Sequence, residues 1–154
     1  MRWSEGAPRW HGTILMSVPY LACMALVASL YQLPPRVLPS IYAIEGGRPG
    51  TVATNSNGTQ DLGVMQVNTI WLPALARYTG LSEPEVRRRL TDQACFNIAA
   101  AGAILRSYLD AADGDLMRAI GNYHSQTPQR HFAYRLRVTE AARRLFERVP
   151  SSRP

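Results

Sequence analysis

The sequence predicts a mainly helical (α+β) domain with one small β-hairpin at about residues 50–68. Three observations lead there. Apolar residues recur at helical spacing over most of the chain. One stretch, Arg48 to Gln60, is mostly Gly, Pro, Thr, Asn and Ser and holds Asn57-Gly58, a strong tight-turn pair. The chain has 154 residues, 46% hydrophobic and 18% charged, which is enough apolar material for one core and argues against disorder. No internal repeat or linker interrupts it. The expected division is a leader or tail over 1–22, a folded domain over 23–149 and a frayed tail over 150–154.

Arg2 and Arg9 precede an apolar run, Thr13 to Leu30. It reads as an export signal with a small-residue site near Val27-Ala28-Ser29, as a marginal anchor interrupted by Pro19, or, from Cys23 onward, as the first helix of the domain. Pro34 and Pro35 can open a helix, and Val37, Leu38, Ile41 and Ile44 then repeat at helical spacing. Gly46 and Gly47 stop it, so Glu45 closes an apolar helix. A two-stranded hairpin is expected next, with Gly63 letting the backbone pass close to a neighbour. Ser82 and Glu85 form a capping-box pattern before "VRRRL". A long helix is expected over Asp92–Ala112, ended by Gly114, and another starts at Asp115. Thr127 caps and Pro128 opens the last helix, where Phe132, Leu136 and Leu145 are expected to be buried and the arginines wet.

The formal net charge is +6 and the pI about 9.9, which favours an anionic partner. The excess is arginine, mostly after Arg77, without a long basic block or aromatic–basic alternation, so no motif supports nucleic-acid binding. Arg87-Arg88-Arg89 reads as a solvated face. Cys23 and Cys95 are not in a C-x-x-C pair, which disfavours a zinc or redox site. They are open to either one disulfide or two separate buried thiols. No metal or cofactor is expected.

Glu45 is the first candidate for chemistry. The negative end of a helix dipole and burial against the core both oppose ionisation, and a general acid must hold a proton at neutral pH. Asp61 sits beside Thr59 and Gln60, a polar setting that suits an ionised carboxylate. Gln66 and Asn68 follow in a short strand-like run with Val64 and Val67, and both offer donor and acceptor to a sugar or amide. Two carboxyls in such contrasting surroundings are the arrangement for cleaving a glycosidic bond.

The ordered set Glu45-Gly46-Gly47, Asn57-Gly58-Thr59-x-Asp61-x-Gly63-x-Met65-Gln66-x-Asn68, Ala94-Cys95-x-Asn97-Ile98 and Asn122-Tyr123-x-Ser125 resembles soluble lytic transglycosylase (SLT-type) catalytic domains. It is closest to the short members that accompany type IV and type III secretion, conjugation and pilus machines. The hairpin is also similar to that of animal-type lysozymes. The resemblance spans roughly Cys23 to Val138 and implies a lysozyme-like fold and cleavage of peptidoglycan glycan strands. It implies Glu45 as acid and then base at the MurNAc–GlcNAc β-1,4 bond, giving 1,6-anhydro ends, with Asp61 as a possible assistant. It implies Gln66 and Asn68 on the cleft wall, Met65 at a packing position beside them, Tyr123 reaching toward Glu45 or substrate, and Asn122 and Ser125 flanking it. It implies a Cys23–Cys95 disulfide tying the first helix to the long central one, a monomer in the periplasm or cell envelope, and components of a secretion or conjugation apparatus as further partners. Two departures stand out. Gly46 replaces the usual Ser, and His124-Ser125 replaces a small pair after the tyrosine; His124 reads as a rim or packing residue. The competing readings are a muramidase using Glu45 and Asp61, and a wall-binding assembly factor with a decayed site.

Overall fold

The structure, a computed structural model, describes residues 19–147. The frayed tail expected over 150–154 and all but the last four residues of the expected leader lie outside them. Seven helices and three short strands follow in order: α1 Leu21–Leu30, α2 Val37–Glu45, β1 Val52–Thr54, β2 Gln60–Leu62, β3 Val67–Asn68, α3 Leu72–Thr79, α4 Glu83–Asp92, α5 Ala94–Ala111, α6 Leu116–His124 and α7 Pro128–Phe146. The mainly helical class with a small sheet is what the sequence predicts.

Of the three readings of the apolar run, the structure takes the third, and it starts earlier than expected. α1 begins at Leu21, and Tyr20 packs edge-on against Tyr42 with ring centres 6.1 Å apart. Val27 and Ala28 are core residues, so a cut near Val27-Ala28-Ser29 would sever packed helix. Among the described residues no helix is long and apolar enough to cross a membrane. A disulfide joins Cys23 of α1 to Cys95 at the start of α5, with Cα atoms 5.7 Å apart. Gly102 lets these two helices meet, because any β-carbon there would collide with Val27 and Tyr31.

α5 is the central helix. It packs against α1, α4 and α6, while α7 covers α2 and α6. The helix expected over Asp92–Ala112 is α5, which starts two residues later: Asp92 ends α4, and Gln93, in extended backbone, lets the chain turn into α5. Ser82 caps α4, its hydroxyl accepting the Glu85 N–H at 3.3 Å. The Glu85 carboxylate turns to Arg88 and Arg89 instead of back to Ser82, so only half the capping box forms. Arg87 is not simply solvated, since its guanidinium donates to the Gln60 side chain on β2.

α7 differs most from expectation. Its buried residues are His131, Tyr134, Val138 and Ala141, while Phe132 and Leu136 are 58% and 72% exposed and Leu145 is half-buried. The true stripe keeps helical spacing, but two of its members carry polar tips, so hydrophobicity alone pointed to the wrong face.

The hairpin gains a third strand. The sheet is antiparallel in the order β1-β2-β3, pairing Ala53 with Asp61 and Asp61 with Asn68. Gly63 at φ +65° and Gln66 at φ +52° reverse the chain between β2 and β3. Left-handed backbone is natural for glycine and strained for glutamine. Asn97 braces this reversal from fully inside the core. Its amide donates to the carbonyls of Leu62 (2.7 Å) and Leu90 (2.8 Å) and accepts the Met65 N–H (2.9 Å). A side chain at Gly63 would drive into Asn97 and the Leu90 carbonyl.

Candidate active site

A cleft of about 590 Å³ opens between the sheet and the ends of α2, α5, α6 and α7. Glu45, Asp61, Gln66, Asn68, Asn122 and Tyr123 all line it, so residues spread over 79 positions of sequence meet on one surface. Met65 does not. It is fully buried, and only its backbone carbonyl reaches the site, accepting the Tyr123 hydroxyl at 3.0 Å. The reversal between β2 and β3 points this side chain into the core and leaves Gln66 at the cleft. The Met65 side chain therefore packs in the core and takes no part in the cleft lining.

Glu45 is the last residue of α2, and Gly46 caps it at φ +60°, with its N–H on the Tyr42 carbonyl. The helix end brings the carboxylate against α7, where the buried Tyr134 hydroxyl donates to Oε1 at 2.7 Å. Burial raises the Glu45 pKa, and the nearby Asp61 charge adds to this; the Tyr134 hydrogen bond and Arg137 pull the other way, with a net rise. Glu45 is thus the group in the cleft inclined to carry a proton. Tyr134 itself is pushed strongly up by burial and by the Glu45 charge, so it stays a donor. His124 stacks flat on Tyr134 with ring centres 4.5 Å apart. Burial and then Arg137 and Arg130 lower its pKa, partly offset by Asp61, which favours a neutral ring.

Asp61 is held differently. Its two oxygens accept from Asn68 (2.8 Å) and Asn55 (3.1 Å). Thr59 accepts from the same two amides at 3.1 Å each and donates to Asn57 at 2.7 Å. This polar cradle fixes the position of the Asp61 carboxylate on the cleft wall. Asn68 also caps the 3-10 turn Thr69–Trp71 by accepting the Ile70 N–H. Gln66 donates to the Gly63 carbonyl at 2.9 Å, which fixes its side chain at the cleft edge. Trp71 and Tyr108, edge to face at 5.7 Å, form an aromatic wall. Among the described residues, no three or more His, Cys, Asp or Glu side chains gather as a metal site.

The chain is similar to Protein IpgF of Shigella sonnei. The two are 28% identical over 140 residues, covering 88% of each chain. Protein IpgF of Shigella flexneri matches at 27% over the same length and coverage. No family model matches the chain.

Tyr123, implied to reach toward Glu45 or substrate, lines the same cleft as Glu45 but does not bond to it. Tyr123 serves the Met65 carbonyl, and the donor to Glu45 is Tyr134, 89 residues downstream. A tyrosine on the buried register of an arginine-rich helix was the available signal. Asn97 was visible within the quoted pattern but carried no role until its three partners were seen.

Proposed function

We propose that this protein is a peptidoglycan lytic transglycosylase of lysozyme-like fold that works in the cell envelope and opens the wall for a secretion or conjugation apparatus. The observation that carries the enzymatic part is Glu45: a carboxyl with a raised pKa, bonded to a buried tyrosine, in a cleft rich in amides, hydroxyls and aromatic rings that also holds Asp61 and Arg130. Such a lining fits a sugar polymer, whose hydroxyls pair with amides and whose ring faces rest on aromatic side chains.

In this mechanism protonated Glu45 gives its proton to the oxygen linking MurNAc C1 to the next sugar, and the C1–O bond breaks. Charge builds on C1 and its ring oxygen, and ionised Asp61 stabilises it through space. The C6 hydroxyl of the same MurNAc forms the new bond to C1 and gives its proton to the Glu45 carboxylate. The product is a 1,6-anhydro sugar, no water is consumed, and Glu45 ends protonated as it began. The Tyr134 hydroxyl supports the carboxylate in mid-cycle, because a hydrogen bond to the ionised form stabilises it.

Mass spectrometry of fragments released from purified sacculi tests this. Anhydro ends are expected, and Glu45→Gln should release none. The presence of Asp61 on the same cleft favours one rival, a muramidase in which Asp61 serves the second step and water attacks. That enzyme would leave reducing ends and would lose as much activity from Asp61→Asn as from Glu45→Gln. The transglycosylase reading expects Asp61→Asn to keep a measurable rate and the same anhydro products.

A further inference from the structure

A second hollow, about 550 Å³, opens beside the cleft between the ends of α5, α6 and α7. The two share Tyr108, Asn122 and Gln126, so they adjoin. The first is lined by one arginine, Arg130, beside Glu45 and Asp61; the second is more basic. Two guanidiniums line it, Arg118 and Arg135, together with Phe132, which is 58% exposed. Arg135 lies 5.2 Å from the centre of the Phe132 ring. Among the described residues neither Arg118 nor Arg135 has a carboxylate within 4 Å. The acid on the rim, Asp115, is engaged as the cap of α6, accepting the Arg118 N–H at 3.0 Å.

We propose that this groove binds the acidic peptide branches of the wall polymer while the glycan strand occupies the cleft. The inference rests on the wall-polymer reading above. A glycan strand whose lactyl carboxyl is amide-linked carries no charge for two arginines to meet. The polymer's negative charge sits on the free carboxylates of its peptide branches. Planar guanidiniums bind carboxylates through paired hydrogen bonds, and the exposed Phe132 ring offers an apolar face to the branch's aliphatic carbons. Asn122 and Gln126 line both hollows, so a branch leaving a sugar seated in the cleft can pass by them to Arg118 and Arg135. The groove would therefore select peptide-bearing glycan over stripped glycan.

The test uses the full chain carrying Glu45→Gln, so that binding is read without cleavage. Its affinity is measured for peptide-bearing glycan strands, for the same strands stripped by an amidase with the exposed lactyl carboxyls then converted to primary amides, and for a single-stranded oligonucleotide as competitor. Peptide-bearing strands are expected to bind about tenfold or more tightly than stripped ones, the scale of one charge-assisted hydrogen bond. Adding Arg118→Gln and Arg135→Gln should abolish that difference and leave binding of stripped strands unchanged; Phe132→Ala should reduce it in part. Unchanged melting temperatures and unchanged affinity for stripped strands show that the variants remain folded. Equal affinity for the two strand types overturns the inference, as does a difference that survives both arginine changes. Displacement of the peptide-bearing strands by the oligonucleotide would mark the groove as a nucleic-acid site instead. Failure of the transglycosylase reading is seen elsewhere, as reducing ends or no cleavage by the wild-type chain.

Discussion

Replacing Tyr134 with Phe removes one hydroxyl and leaves the ring stacked on His124. That hydroxyl is the hydrogen-bond donor to Glu45, at 2.7 Å, from a side chain only 2% exposed. A hydrogen bond to a charged group in such a place contributes roughly 1.5–3 kcal/mol. The bond favours ionised Glu45, so losing it stabilises the protonated form by about that amount. This corresponds to a roughly ten- to hundred-fold change in the ionisation equilibrium. The proposed first step needs protonated Glu45, so activity falls as pH rises through its pKa. In Tyr134→Phe that falling limb should move to higher pH. The second step needs a stabilised carboxylate, so the maximal rate should drop at the same time. The assay is muropeptide release from sacculi across a pH series, with the Glu45 carboxyl followed in parallel by NMR titration. A limb that stays in place or moves to lower pH would refute the assigned role of the Tyr134–Glu45 bond.

Three further outcomes are expected. Glu45→Gln should stabilise the fold at neutral and alkaline pH. Because folding raises the Glu45 pKa, the native state holds more protons than the unfolded chain between the two pKa values, and wild-type stability falls as pH rises through that window. The gain in melting temperature should vanish below the ordinary carboxylate range; a gain that persists there would contradict the linkage. Asn97→Ala orphans the Met65 N–H and the Leu62 and Leu90 carbonyls, and should cost about 3 kcal/mol or more in urea unfolding. Finally, the paired change Cys23→Ser and Cys95→Ser opens a loop of 72 residues, for which chain entropy predicts a loss of about 4 kcal/mol. Intact mass with and without reductant checks the bond itself, and two free thiols in exported protein would rule it out.

Legibility varied with the range of the interaction. Glu45 at a helix end, the turn at Asn57-Gly58, the need for glycine at Gly63 and the cap at Ser82 are local matters, decided within a few residues of backbone and side-chain chemistry. These were readable. The buried face of α7 was not, because His131 and Tyr134 are amphipathic and their burial depends on what faces them. The tight reversal before the third strand was not, because it holds Gln66 at φ +52° and leans on Asn97, which accepts the neighbouring Met65 N–H across 32 residues of sequence. The break between α4 and α5 was expected just before Asp92 and falls at Gln93, a shift of the boundary that no glycine or proline marks.

The sequence by itself determined a mainly helical chain with a glycine-rich hairpin, an acid closing an apolar helix, and amides set at alternate positions beside a second acid. Those features depend on periodicity, turn chemistry and capping, which act between neighbours. Only the tertiary structure decided which group holds the Glu45 proton in balance, which residues Asn97 ties together, and that Arg118, Phe132 and Arg135 line a hollow beside the cleft. Each of these joins side chains far apart in the chain, and their pKa shifts and hydrogen bonds come from burial that exists only after the helices have packed.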